Sequence, residues 1–131
     1  MRQHMDEYVE LELAKNQTAT KLLNSFVSHS IDTYAKLEGV FRASVLTRTE
    51  ESDHPFVVLR AYSREQFIRL LRPYFKAHGA STNLKLGFAH QIINSTLVNT
   101  ILTDPGPLRL KNENFRLELV NAIAAYLNLK N

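Results

Sequence analysis

The stretch STNLKLGFAHQIINSTLVNTILT, Ser81 to Thr103, decides the fold. At roughly 100° per residue, Leu86, His90, Ile93, Leu97 and Ile101 fall on one side of a helix. Leu84, Phe88, Ile92, Ser95, Asn99 and Leu102 fall on a second side. A surface helix needs one apolar stripe, so a helix with two has surplus surface to cover. The second stripe holds small and amide residues, which allow close packing with some polar pairing. Asp104-Pro105-Gly106-Pro107 follows and is the strongest breaker in the chain.

Beyond the breaker, Asn112 is placed to cap a last helix from Glu113 to about Leu129. Phe115, Leu119, Val120, Ala122, Ile123, Tyr126 and Leu127 form one broad apolar stripe on it. That is wider than contact with a single neighbour requires. Two helices with surplus apolar surface predict a homodimer interface. Its expected residues are Phe88, Ile92, Ser95, Asn99, Leu102, Leu119, Ile123 and Tyr126. The alternative is that both are central helices of a monomer.

Upstream the pattern stays helical. A short amphipathic helix is expected between about Met5 and Ala14. Asn16 is read as the N-cap of the next one, in which Leu22, Leu23, Phe26, Val27, Ile31 and Tyr34 recur at three and four residue steps. Val40, Phe41 and Val45 continue the helical pattern to about Thr49, after a break near Gly39. Pro55 suits the first turn of a helix reaching about Ala77, because its missing N–H costs nothing there. Pro73 should kink that helix or end its regular part near Arg72, and Gly79 reads as its stop. The result is an all-α, single helical bundle domain of about six helices spanning residues 1–131.

Composition agrees. The 131 residues are 44% hydrophobic, which excludes wholesale disorder. There is no Cys, which excludes a disulfide framework, a thiolate metal site and a Cys nucleophile. The net charge of +3 is too small to demand a nucleic acid or an anionic membrane as partner. No apolar run approaches the ~18 residues of a membrane span, and the N-terminus does not resemble a secretory signal. A cytoplasmic location is expected.

Candidate chemistry is sparse. Glu51 and His54 match half of a di-iron bundle motif, but the second half is missing. His29 and Asp32 stand one turn apart, yet Asp32 and Lys36 also make an ordinary surface pair. Ser28, His29 and Ser30 have no nucleophile elbow or orienting acid at a recognisable spacing. No phosphate-binding loop or dinucleotide fingerprint is present. No metal, cofactor or catalytic residue is expected. Arg42, Arg48, Arg60, Arg64, Arg69 and Arg72 make a loosely basic middle, by default a solvated face. Aromatic residues on consecutive helices are mostly core, with a cavity between helices as the sharper reading. His90 and Asn94, one turn apart beside an apolar stripe, are buried polar groups in need of partners, and a ligand is one possibility. The ligand residues read this way are Phe26, Ser30, Phe41, Tyr62, His90 and Asn94.

Four stretches taken in order resemble a known family. They are EGVFRASVLTRTEES (38–52), REQFIRLLRPYFKAHG (64–79), FAHQIINSTLVNTILTDPG (88–106) and NFRLELVNAIAAYLNL (114–129). Their order and spacing are similar to the C-terminal regulatory domain of tetracycline-repressor-like (TetR family) transcription regulators. The resemblance implies a homodimer through the last two helices and a pocket for a small, mostly apolar effector. It also implies that effector binding controls DNA binding by a separate N-terminal helix-turn-helix domain. Nothing in residues 1–16 matches that domain, and these residues are at most a remnant of the connecting helix. The chain by itself is therefore expected to bind no nucleic acid. Two other classes remain open. One is a small helical metal-binding enzyme using His29, Glu51 and His54. The other is a protein-interaction adaptor.

Overall fold

The computed structural model describes the backbone of residues 6–11, 17–36, 55–75, 79–102, 110 and 112–129, and their side chains except those of 55–59 and 102. All regular structure among them is helical: α1 (Ala19–Lys36), α2 (Pro55–Leu71), a 3-10 turn (Arg72–Tyr74), α3 (Ala80–Leu102) and α4 (Glu113–Leu127). Residues 6–11 are helical as well. The helix expected over Val40–Thr49, with Phe41, lies outside the described residues, as do Asn16 and the 104–107 breaker.

Local chemistry sets the helix ends. Thr18, two residues after the expected cap, starts α1: its hydroxyl accepts from the Lys21 amide at 3.2 Å. The α2 ladder stops at Leu71, and Pro73 sits inside the 3-10 turn that follows. A proline cannot donate to an α-helical ladder, which explains the early stop. Gly79 opens α3 instead of closing the helix before it, since its carbonyl accepts the Asn83 amide at 3.0 Å. Asn112 caps α4 as read, accepting from the Asn114 amide at 2.8 Å. Asn128 then adopts the left-handed conformation at φ 56°. The Leu129 amide reaches Ala124 O and the Asn128 amide reaches Ala125 O, the paired bonds of a Schellman end.

α2 packs on α3, α1 packs on α4, and α3 packs on α4. The short link through the 3-10 turn makes α2 and α3 antiparallel neighbours. The shared core holds Leu23, Phe26 and Val27 of α1, Phe67, Leu70 and Leu71 of α2, and Leu86, Ile93, Leu97 and Ile101 of α3. Phe26 and Phe67 meet edge to face, with centroids 4.9 Å apart. Arg116 of α4 donates to Asn24 of α1 and pairs with Glu113. The N-terminal helical segment docks through fully buried Val9, through Tyr8 stacked on His29 at 4.1 Å, and through Glu10 paired with Arg69 at 2.6 Å. No helix among the described residues is long and apolar enough to cross a membrane.

Leu119 and Ile123 of α4 correct the expected interface. Both are buried in the chain's own core together with Phe115, Val120 and Leu127. The broad stripe of α4 has two edges, and these residues lie on the inner one, facing α1 and α3.

Candidate functional site

Two features stand apart from ordinary core and surface. The first is a polar seam where α1, α2 and α3 meet. Phe26, Ser30 and Tyr34 lie one turn apart along α1. Arg60, Ser63, Arg64 and Phe67 share a face of α2, and Gly87, His90 and Asn94 share a face of α3. His90 and Asn94 are the buried polar side chains of the described core, at 4% and 6% exposure. Nε2 of His90 and Oγ of Ser63 form a hydrogen bond of 3.1 Å. The Tyr34 hydroxyl donates to Oδ1 of Asn94. Each buried group thus meets a partner from another helix, as burial requires.

Phe26 and Phe67 wall one end of the seam, with centroids 6.2 Å and 5.8 Å from the His90 ring. Arg60 and Arg64 stand exposed at its rim. A Cβ placed on Gly87 would lie 3.8 Å from the Arg64 Cδ, so the Arg64 stem crosses this turn of α3. Burial, with Arg64 and Arg60 nearby, pushes the His90 imidazole down to about 4. Burial pushes the Tyr34 phenol up to about 12, against the opposing pull of Arg60. At neutral pH both groups are uncharged. A hydroxyl against a neutral imidazole is half of a nucleophile arrangement. Among the described residues no carboxylate contacts the His90 ring to orient it, and the nearby charge is positive. The seam has the chemistry of polar recognition beside an aromatic wall.

Of the predicted ligand residues, the structure brings together Phe26, His90 and Asn94. Ser30 lies half-buried on the same stripe of α1, and Tyr62 is half-buried on α2. Phe41 lies outside the described residues. The reading from sequence missed Tyr34, Ser63, Arg60 and Arg64 as members of the site. Ser63 did leave a signal. It stands one turn before Phe67 and seven residues before Leu70, a hydroxyl inside an otherwise apolar stripe, which marks something polar opposite.

The second feature is an exposed apolar face shared by α3 and α4. Leu84 is 76% exposed, Phe88 46% and Tyr126 38%. Phe88 and Tyr126 meet edge to face at 5.7 Å across the two helices, and the Lys85 ammonium sits 5.2 Å over the Tyr126 ring. Ile92 is half-buried along the same edge, with Ser95 and Asn99 exposed beyond it. The Leu102 side chain lies outside the described residues.

A wide groove of about 620 Å³ also runs between the end of α1 and the start of α4, lined by residues that include Ile31, Asp32, Lys36, Leu110, Glu113 and Arg116. None of the five described ligand residues lines it. Among the described residues no three His, Cys, Asp or Glu side chains cluster to hold a metal. His29 stacks on Tyr8, while Glu51 and His54 lie outside the described residues. No protein-family model, curated protein or solved structure matches the chain at a significant level.

Proposed function

We propose that the chain is the effector-binding and dimerisation domain of a TetR-like transcription regulator. Two copies associate through α3 and α4, and a small, mostly apolar effector binds in the seam between α1, α2 and α3. The observation that carries this reading is the exposed apolar face of Leu84, Phe88 and Tyr126, continuous over two adjacent helices. Large apolar side chains gathered on one face gain free energy when a partner covers them, at ~25 cal/mol per Å² removed from water. A second copy presents the same face about a two-fold axis, so each contact forms twice. The helices carrying it are the pair that the resemblance assigns to the interface.

The seam supports the other half. Phe26 and Phe67 are packed in the core beside it, so an effector enters only where these helices part, and His90, Asn94, Ser63 and Tyr34 are the polar groups it would then meet. The seam joins α3, which carries the dimer face, to α1, on which the N-terminal helical segment docks. An effector regulates only if it prefers one arrangement of these helices over another. DNA reading belongs to a helix-turn-helix domain outside residues 1–131, and the domain performs no catalysis. Such a regulator works in the cytoplasm.

Native mass spectrometry of the purified chain tests the reading. A dimer that collapses to monomer on Phe88→Glu supports it. A monomeric parent chain refutes the dimer half. Capture of a heterologous partner by that monomer assigns the face to an adaptor.

A further inference from the structure

The exposed stripe of α3 carries an order that bears on how two copies meet. On α2 the exposed side chains among the described residues, Arg60, Arg64, Glu65 and Arg69, are all charged. On α3 the one Lys, Arg, Asp or Glu in Ala80–Leu102 is Lys85. Interface centres are depleted of charge in this way, whereas solvated helix faces are not. Polarity along the stripe also mirrors itself about Phe88. Leu84 and Ile92 stand four residues to either side, Lys85 and Gln91 three, and Ser81 and Ser95 seven. Apolar matches apolar, an ammonium matches an amide, and serine matches serine. Tyr126 of α4 lies level with the midpoint, its ring 5.7 Å from that of Phe88.

We propose that the two copies pack α3 against α3 in antiparallel fashion, with the two-fold axis crossing at Phe88. This deepens the dimer reading and rests on it. A two-fold perpendicular to a helix sets each residue level with the one equally far beyond the axis in the copy. Leu84 is then level with the partner's Ile92, Lys85 with the partner's Gln91, and Ser81 with the partner's Ser95. The two Phe88 rings meet at the axis, and the Tyr126 ring of each copy flanks them. Aromatic groups packed edge to face contribute beyond the area they bury. Charge favours the same register, because a two-fold sets any group near the axis against its own copy and a charge there repels itself. At a ~1.5 Å rise per residue, Lys85 stands about 9 Å along the helix from its copy. Its ammonium is held over its own Tyr126 ring. An axis at Ile92, nearer the middle of α3, would set Leu84 level with the partner's Thr100 and Phe88 with the partner's Thr96. Apolar surface would then face hydroxyls.

The chain contains no cysteine, so introduced thiols report the register without background. Packed helix axes lie ~8–10 Å apart, with Cα atoms ~2.3 Å from each axis, so facing Cα atoms come to about 5 Å, within the span of a disulfide. Copies of one residue four places from the two-fold lie about 12 Å apart along the helix, too far to link. Phe88→Cys, Leu84→Cys and Ile92→Cys chains are oxidised at micromolar concentration, singly and in mixtures, and run on a non-reducing denaturing gel. Phe88→Cys links to itself and runs at twice the 15.0 kDa chain mass. Leu84→Cys links with Ile92→Cys in their mixture, and neither links alone. That mixture keeps Phe88 and decides the register where Phe88→Cys has weakened the dimer. Ile92→Cys linking to itself moves the axis and overturns the proposal. A mixture that stays unlinked while the parent chain is dimeric overturns it as well. Sedimentation of the parent chain keeps the two readings apart. A dimer with the wrong linkage sinks the arrangement alone, and a monomer sinks the domain reading.

Discussion

His90 makes the stability of this fold depend on pH in a direction opposite to that of an exposed histidine beside an acid. Its ring is 4% exposed, bonded to Ser63 and held at about 4, against an ordinary value of 6.5. The folded state therefore prefers the neutral ring. Between pH 6.5 and about 4 the unfolded chain holds a proton that the folded chain excludes. The contribution is fully present above pH 6.5 and is lost as pH falls toward 4. At ~1.36 kcal/mol per pH unit the loss is about 3 kcal/mol. With a urea slope of ~1.5 kcal/mol/M the midpoint falls by roughly 2 M. Glu113, held below its ordinary value by its hydrogen bond with Arg116, also loses stability in acid, so the measurement is a difference between two chains. Gln places a polar atom near the position of Nε2 without a group that titrates in this range. Urea unfolding of the parent and His90→Gln, at one protein concentration and stepped from pH 7.5 to 4, isolates the term. The parent should lose about 3 kcal/mol more than the variant, most of it below pH 6.5. Equal losses in the two chains would refute the buried, neutral imidazole.

Four further outcomes follow from the structure. Phe88→Glu should weaken dimerisation by more than about 100-fold, because burying each Phe is worth ~1.5–3 kcal/mol and the two-fold counts it twice; sedimentation velocity reads the shift, and helicity should be unchanged. Phe26→Ala removes a ring fully inside the α1–α2–α3 core and should cost ~3–5 kcal/mol in urea unfolding. Thr18→Ala removes the α1 cap and should cost ~1 kcal/mol, while Asn128→Ala should cost ~1 kcal/mol by forcing a Cβ-bearing residue without local hydrogen bonding into φ 56°.

What sequence made legible was local. Asn112 is followed by Glu113 and an apolar run, so its cap could be read within a few residues. Pro73 announced the end of α2 because a missing N–H acts at its own position. The two stripes of α3 were visible because helical periodicity needs only one segment, and they separate into a buried row through Leu86, Ile93 and Leu97 and an exposed row through Leu84 and Phe88. Cap choice between Asn16 and Thr18 was harder, since both residue types cap well and stand two positions apart. Gly79 closes one helix or opens the next with equal ease. Leu119 and Ile123 show a second limit. A broad stripe does not say which edge faces inward; that depends on where α1 and α3 lie. The seam was the least legible part. Tyr34, Ser63 and His90 are distant in sequence, and their meeting depends on the register of three helices. Arg60 and Arg64 read as solvated charge until that register placed them beside a buried imidazole.

Mass in solution tests the central claim most directly. Sedimentation equilibrium of the purified chain at micromolar concentration should give twice the 15.0 kDa chain mass, reverting to 15.0 kDa on Phe88→Glu. A parent chain that sediments at 15.0 kDa across that range contradicts the account.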